Sequence, residues 1–440
     1  MALVTGCVVV PCLFTTRTTD VFYLPKLVGL WVLLAAVVWL MAVSTLMDET
    51  GSRLRWIGIV DVPVLAFVLL NLVALAFSTN RHQSLFGERL QHQGVLTTLL
   101  YVAFFYLARV LISDRRQMLR LFVAVAIGAS AVAIYAFIQK LGLDPIWDGY
   151  LPSGRVFSTI GQPNALAGYL VLAIPITAVV AIEQKRWLRV AALAGLALMI
   201  GALLLTYSRG GYLGLALAGT VFIVGVRERL TMNWARLGAS VGAAVVVLVL
   251  AVTVIAPARS AVTTTWHRIE TVSSDRSISS RTDLWRVALR MVEDHPLVGI
   301  GPETFPEEFP RYSRMALPAA AVRQYERYRV ESPHNEVLAV ASGAGIPAAI
   351  AYLSVLVGVI RVLWHARRRS TDDVVRLGLL AAIAAVLGHV VTSTFMSSEV
   401  TGSWMFWLLA GAGVGLASTV PADSDGVALS DSPDRRLASG

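Results

Sequence analysis

The stretch "GALLLTYSRGGYLGLALAG", residues 201–219, sets one arginine between two apolar runs long enough to enter a bilayer. Arg209 has almost no loop to occupy, and a guanidinium in hydrocarbon costs at least about 2.5–3.5 kcal/mol on insertion scales. Runs like the two beside it recur along the whole chain. Of 440 residues, 56% are hydrophobic and only 15% charged, and mean hydropathy is +0.68. A soluble domain keeps about a quarter of its residues charged. The composition therefore points to an all-α polytopic membrane protein built around one bundle. The net charge of +9 is mostly arginine, with Lys26, Lys140 and Lys185 the only lysines. In such a chain a basic balance reads as cytoplasmic loop charge and not as nucleic-acid binding.

Crossing the hydrocarbon takes about 20 apolar residues. That length predicts about twelve transmembrane helices, near 1–16, 26–47, 57–77, 95–113, 118–138, 163–182, 187–207, 210–226, 237–256, 335–360, 376–396 and 400–418. The first, "MALVTGCVVVPCLF", is short for a span and lacks the basic start and A-x-A site of a cleaved signal. Its Cys7 and Cys12 are five apart, off register on a helix, which predicts neither a disulfide nor a metal pair. Basic residues fall on alternate loops. Arg53/Arg55, Arg115/Arg116/Arg120, Lys185/Arg186/Arg189, Arg227/Arg229/Arg236 and the run Arg361–Arg369 share one side. The opposite loops carry fewer: Arg17, Arg81/Arg89, Lys140/Arg155 and Arg209. The positive-inside rule places the first set in the cytoplasm and with it both termini.

The domain plan is then nine spans over 1–256, a long extracytoplasmic loop over 257–332, three spans over 333–418 and a disordered cytoplasmic tail over 419–440. Inside the loop, "RTDLWRVALRMVEDHP" sets Leu284, Ala288, Met291 and Val292 on one helical face and Arg286 and Arg290 on another. This predicts an amphipathic helix opened by Arg281 and lying on the outer membrane surface or across the bundle mouth. "GIGPETF" reads as a turn and "ALPAAAVRQYERY" as a second short helix.

The unusual polar groups gather on the outer side. Arg209 can be a snorkelling anchor, but the "SRGG" turn is tight and its glycines admit a bulky partner. A guanidinium there suits phosphate, which it grips with a bidentate fork. In "VESPHNEVLAV", Ser332 as N-cap and Pro333 as first helical residue would place His334 and Asn335 in the first turn. The helix dipole would then keep His334 neutral and able to accept a proton, although a histidine filling an interfacial gap would look the same. Arg155, Gln162 and Asn164 surround the start of another span, where they can cap it or face a sugar. Asp61 and His389 fall within spans, toward their cytoplasmic halves, and read as bundle glue. The remaining histidines show no metal spacing, and no Walker, Rossmann or serine-elbow motif is present.

In chain order, "TYSRGGYLGLALAG", "SSRTDLWRVALRMVEDHPLVGIGPETF" and "SPHNEVLAVASGAGIPAAIAYL" resemble the bacterial O-antigen ligase and O-antigen polymerase superfamily. "LFGERLQHQGVLTTLLYVAFFYLAR" and "GQPNALAGYLVLAIPI" upstream resemble it too, so the likeness runs from about Phe86 to Leu408. The resemblance implies a cofactor-free, metal-independent glycosyltransferase on the outer face of the bacterial inner membrane. Its donor would be a glycan on undecaprenyl pyrophosphate, and its acceptor lipid A-core, another lipid-linked glycan or a protein. The superfamily's essential groups would fall on Arg209, Arg281 and His334, with Arg286 an alternative partner to Arg281. Arg155, Asn164 and Asn335 would complete the substrate contacts. Two rival readings are a transporter or flippase of lipid-linked glycans, which would put ionisable groups near mid-membrane in repeated halves, and another polyprenyl-phosphate-dependent cell-wall glycan polymerase.

Overall fold

Twenty-residue apolar runs fold as helices here because lipid cannot satisfy backbone N–H and C=O groups, so each segment must satisfy its own. The computed structural model describes residues 1–47, 57–89, 91–147, 151, 154–227, 276–326, 330–396 and 399–421. These residues contain helices and no strand. The span predicted at 237–256, the first part of the long loop and the tail beyond residue 421 lie outside them.

The helices are α1 (Ala2–Val9), α2 (Tyr23–Met47), α3 (Gly58–Ala76), α4 (Arg81–Phe86), α5 (Val95–Leu111), α6 (Arg115–Lys140), α7 (Pro163–Glu183), α8 (Arg186–Leu205) and α9 (Arg209–Val226). After the undescribed stretch come α10 (Arg276–Asp294), α11 (Phe305–Ala316), α12 (Ala319–Tyr325), α13 (Glu336–Arg369), α14 (Asp373–Ser393) and α15 (Val400–Ser418). Among the described residues nine helices are long and apolar enough to cross a membrane. The expected first span is shorter than predicted. α1 and the 3-10 turn that follows it stop at Cys12, with Pro11 inside that turn. Eleven residues reach only about 16 Å.

Burial sorts the bundle into a centre and a rim. α7, α14 and α15 are central, with 94% of the apolar window of α15 buried against 17% of that of α2. Glycines let the inner helices touch. A side chain at Gly411 would strike the backbone of α5 at Phe105, and one at Gly358 would meet that of α3 at Ile59. Two buried charges hold the ends of the bundle. Asp61 pairs with Arg109 and accepts from the Tyr106 hydroxyl at 3.1 Å, so its reading as glue describes what it does. Lys26 donates to the carbonyls of Leu13, Phe22 and Thr159 at 2.7, 3.1 and 2.6 Å, spending all three protons on chain ends.

The arginine-rich run from Arg361 to Arg369 continues α13 as helix where the apolar pattern alone ended it near residue 360. Arg367 reaches back to the Gly225 carbonyl at the end of α9, at 2.8 Å. At the opposite end, α10 runs from Arg276, so Arg281 lies inside this helix and does not open it. Its buried face is Leu284, Val287, Ala288 and Met291, with Val292 only half-buried. That face packs with Ile300, Phe305, Phe309 and Tyr312 in a small core of the loop's own. The apolar face of α10 is therefore used by protein.

Candidate functional site

α13 is broken near its start, and the break builds the site. Gly345 has φ +87° and ψ 167°, far from helix. Only glycine takes that conformation without strain, and a Cβ there would run into the Leu297 carbonyl. The backbone groups at the break are used by residues 296–301. Ile346 N–H donates to Pro296 O at 2.8 Å, while the Ser342 and Gly343 carbonyls accept from Ile300 and Gly301 at 2.9 Å each. Irregular backbone at membrane depth is tolerated where protein satisfies it in this way. The result is a short helical piece, residues 336–344, fixed to the loop and carrying His334 at its mouth.

The cap is not where the sequence placed it. Asn335 is the N-cap, its side-chain oxygen accepting from Leu338 N–H at 3.1 Å, and the helix starts at Glu336. Ser332 is used one step earlier, accepting from His334 N–H at 3.1 Å. Asn, Ser and Asp serve almost equally as caps, so the local residues did not decide between the two. His334 lies outside the first turn at φ +50°, a strained position for a side chain with a Cβ and one that gathers at functional sites. The carbonyl before it, Pro333 O, accepts from the Trp285 indole at 3.1 Å, tying the histidine to α10.

Trp285 and Arg281 are one helical turn apart on α10. Burial, and after it the charge of Arg281, lowers the His334 pKa to about 4. Neutrality at pH 7 was anticipated from the helix dipole, but the physical causes are these two. The Arg281 guanidinium sits 6.0 Å from the Phe395 ring centroid. Phe395 also lies directly over Gly210, whose missing side chain leaves it room. One ring thus stands between the turn that carries Arg209 and the helix that carries Arg281. Nothing in the local sequence around Phe395 marked it.

Arg209 is the first residue of α9, capped by Ser208 accepting from Gly211 N–H at 3.3 Å. Tyr207, just before the cap, has φ +49°, a second strained position at the same end. Arg155 approaches the turn from the other side, donating to Thr206 O at 2.7 Å and to Asn164 Oδ1 at 2.6 Å. Asn164 is thereby used to orient Arg155, while Gln162 caps α7 through Ala165 N–H. Lys140 adds a further cation, 5.8 Å from the Tyr207 ring. The N-termini of α7, α9 and α13 open at this end of the bundle, each presenting the positive pole of its dipole. Arg286 is not brought to this group. It is exposed on another face of α10 and paired with Asp283 at 3.1 Å. Among the described residues no group of three or more His, Cys, Asp or Glu is placed to hold a metal ion.

Cations, helix N-termini and a neutral imidazole in one place suit transfer chemistry at a phosphate-bearing substrate. Residues 194–353 match the family model described as O-antigen ligase. That stretch is similar to the O-antigen ligase family. The match spans Arg209, Arg281, His334 and the Gly345 break, which are the parts just assembled. Comparison with curated proteins finds no match. Likeness to the O-antigen ligase family over that stretch, in a chain with nine helices apolar and long enough to cross a membrane among its described residues, supports glycan transfer by a multi-pass membrane enzyme as the chemistry to be read here.

Beside this site lies a cavity of about 90 Å³. Arg209, Arg281 and His334 are not among its lining residues, but Glu336 and Met396, next to His334 and Phe395, are. Its walls include Glu303, Glu399, Tyr101 and Trp407. His389 lines it too. α14 runs from Asp373 to Ser393 and ends at the site, so His389 lies one turn from that end and not toward the other half as expected. Glu303, Glu336 and Glu399 are far apart in sequence, and nothing local linked them.

Proposed function

We propose that the chain moves a glycan from a polyprenyl pyrophosphate carrier to an acceptor hydroxyl on the outer face of the bacterial inner membrane, as ligase or polymerase, without a metal ion. The observation that carries this reading is the placement of half-buried His334 beside half-buried Arg281, with Phe395 linking Arg281 to the Arg209 turn. Arg209 and Arg281 would hold the pyrophosphate and take up the negative charge that grows on it as its bond to the anomeric carbon breaks. His334 would accept the acceptor's hydroxyl proton as that oxygen forms the new glycosidic bond. Arg155, oriented by Asn164, would support the same anion from the α8–α9 turn, and Asn335 would set the angle at which His334 is presented.

A histidine titrating near 4 is a weak base in the free protein. Donor binding supplies the correction. A pyrophosphate on Arg281 offsets the guanidinium charge, so His334 gains part of its basicity when the carrier is bound, the burial remaining. The long loop would face outward and both termini the cytoplasm, which labelling of single-cysteine variants from each side of the membrane tests. The decisive experiment is reconstitution with an undecaprenyl-pyrophosphate oligosaccharide and candidate acceptors, with His334→Ala as control. Product ladders without lipid A-core indicate a polymerase, and a single shifted band that requires that acceptor indicates a ligase. Transfer undiminished in His334→Ala would refute the role of the imidazole.

A further inference from the structure

The cavity beside the cationic site is lined by carboxyl groups instead. Three carboxyl side chains line it: Glu303 from the loop, Glu336 from the first turn of α13 and Glu399 from the N-cap of α15. Ionisable groups at this depth are costly unless they serve a substrate path or are fully satisfied. Glu399 is satisfied in part, accepting from Thr401 N–H at 2.8 Å and from Gly402 N–H. Two neutral polar groups in the same wall are not. His389 is only 8% exposed, and among the described residues its ring makes no hydrogen bond, one face of it stacking on Phe406 at 4.6 Å. Asn71, 6% exposed, spends its amide N–H on Phe67 O at 2.8 Å, and among the described residues its Oδ1 accepts no hydrogen bond. Buried polar atoms left open toward a cavity are complementary to something that carries hydrogen-bonding groups of its own.

Charge and polarity narrow what that is. A polyprenyl tail would bury carboxylates against hydrocarbon, and a phosphate would meet like charge. The carboxyl groups are not arranged to hold a metal ion among the described residues. A neutral polyol fits. Its hydroxyls donate to carboxylate, amide and imidazole acceptors, and its C–H faces rest on Tyr101, Tyr352 and Trp407. Burial raises Glu303 to about 8 and Glu399 to about 7, so below those values these groups offer O–H donors to a sugar and above them they repel an anionic one.

We infer that this cavity is the subsite for the acceptor's terminal sugar and selects neutral sugars over acidic ones. It rests on the glycan-transfer reading above and adds to it a division of labour. The anionic carrier docks on the arginines, the uncharged acceptor docks on the carboxyl side, and His334, two residues before Glu336, lies between them. Electrostatics would then keep donor and acceptor from exchanging places.

The test needs no turnover. Two photoreactive probes, a diazirine-tagged alkyl glucoside and the matching alkyl glucuronide, are crosslinked to the full chain in nanodiscs and mapped by mass spectrometry. At about pH 9, above both carboxyl values, the glucoside should label peptides bearing Tyr101 or Trp407 at least about tenfold more than the glucuronide. Excess methyl glucoside should compete that labelling away. Glu303→Gln with Glu336→Gln should bring the glucuronide up toward the glucoside, and Ala339→Phe, which fills the cavity, should abolish both. Equal labelling by the two probes, or labelling confined to other peptides, would overturn the inference. Undecaprenyl pyrophosphate binding is measured on the same samples. Its absence speaks against the donor reading, whereas a failed glucoside arm beside intact donor binding refutes the subsite alone.

Discussion

Replacing Arg281 by glutamine separates the two causes that hold His334 neutral. Its pKa lies at about 4 against an ordinary 6.5, with burial the larger cause and the Arg281 charge the second. Removing the charge leaves the burial, so less than half of the 2.5 between those values should return, and the new pKa should lie above 4 and no higher than about 5. The sign follows from the role. His334 must be neutral to take a proton, so activity is lost as pH falls through its pKa, and a raised pKa means loss at a higher pH. The assay is kcat/KM for glycan transfer in proteoliposomes from about pH 3.5 to about pH 8, which reports the free enzyme. Wild type should hold its rate down to about pH 4, and Arg281→Gln should begin to fall sooner, from a lower plateau. In wild type the acid limb of kcat should lie above that of kcat/KM, because bound pyrophosphate offsets Arg281. His334→Gln should show neither limb. An acid limb that stays in place in Arg281→Gln, or moves to lower pH, would refute the coupling of the two side chains.

Three further perturbations follow from the same geometry. Arg209→Lys keeps the charge and loses the fork, so kcat/KM should fall about 10²-fold with the thermal unfolding midpoint unchanged; unaltered turnover would contradict the clamp. Gly345→Ala forces a Cβ at φ +87° against the Leu297 carbonyl, and should cost at least about 1–3 kcal/mol in a denaturation experiment while lowering activity through the displaced His334. Asp61→Asn strands Arg109 without its buried partner, which should cost about 3–5 kcal/mol, and Asp61→Leu with Arg109→Met should recover most of the loss. Because that pair lies at the end of the bundle away from the site, turnover per folded molecule should hold in both variants.

The bundle was legible because hydrocarbon imposes a length and a composition that few other environments require. Predicted and observed ends agree within two residues for α3, α5, α7, α8, α9 and α15, and within three for α2, α6 and α14. Arg209 could be picked out for the same reason, as a charge with no loop to hold it. Features set by distant contacts were not legible. The break at Gly345 depends on residues 296–301 arriving to satisfy its backbone, so "SGAGIP" alone reads as continuous helix. α10 showed its apolar stripe but not what would cover it, since lipid and the loop's own core look alike from one helix. The pairing of Arg286 with Asp283 follows an i, i+3 spacing that could have argued against it as a substrate contact. Phe395 and the carboxyl-lined cavity carried no local signal, because their meaning lies in which helix ends converge.

The central claim is that Arg209 and Arg281 receive a diphosphate borne on a membrane lipid. Its most direct test is equilibrium binding of undecaprenyl pyrophosphate, undecaprenyl phosphate and undecaprenol to the protein in nanodiscs, by native mass spectrometry. The account predicts the order pyrophosphate, phosphate, alcohol, with at least about a tenfold step to the alcohol that collapses in Arg209→Gln with Arg281→Gln. Equal affinity for all three lipids, or a preference for pyrophosphate that survives loss of both arginines, would contradict it.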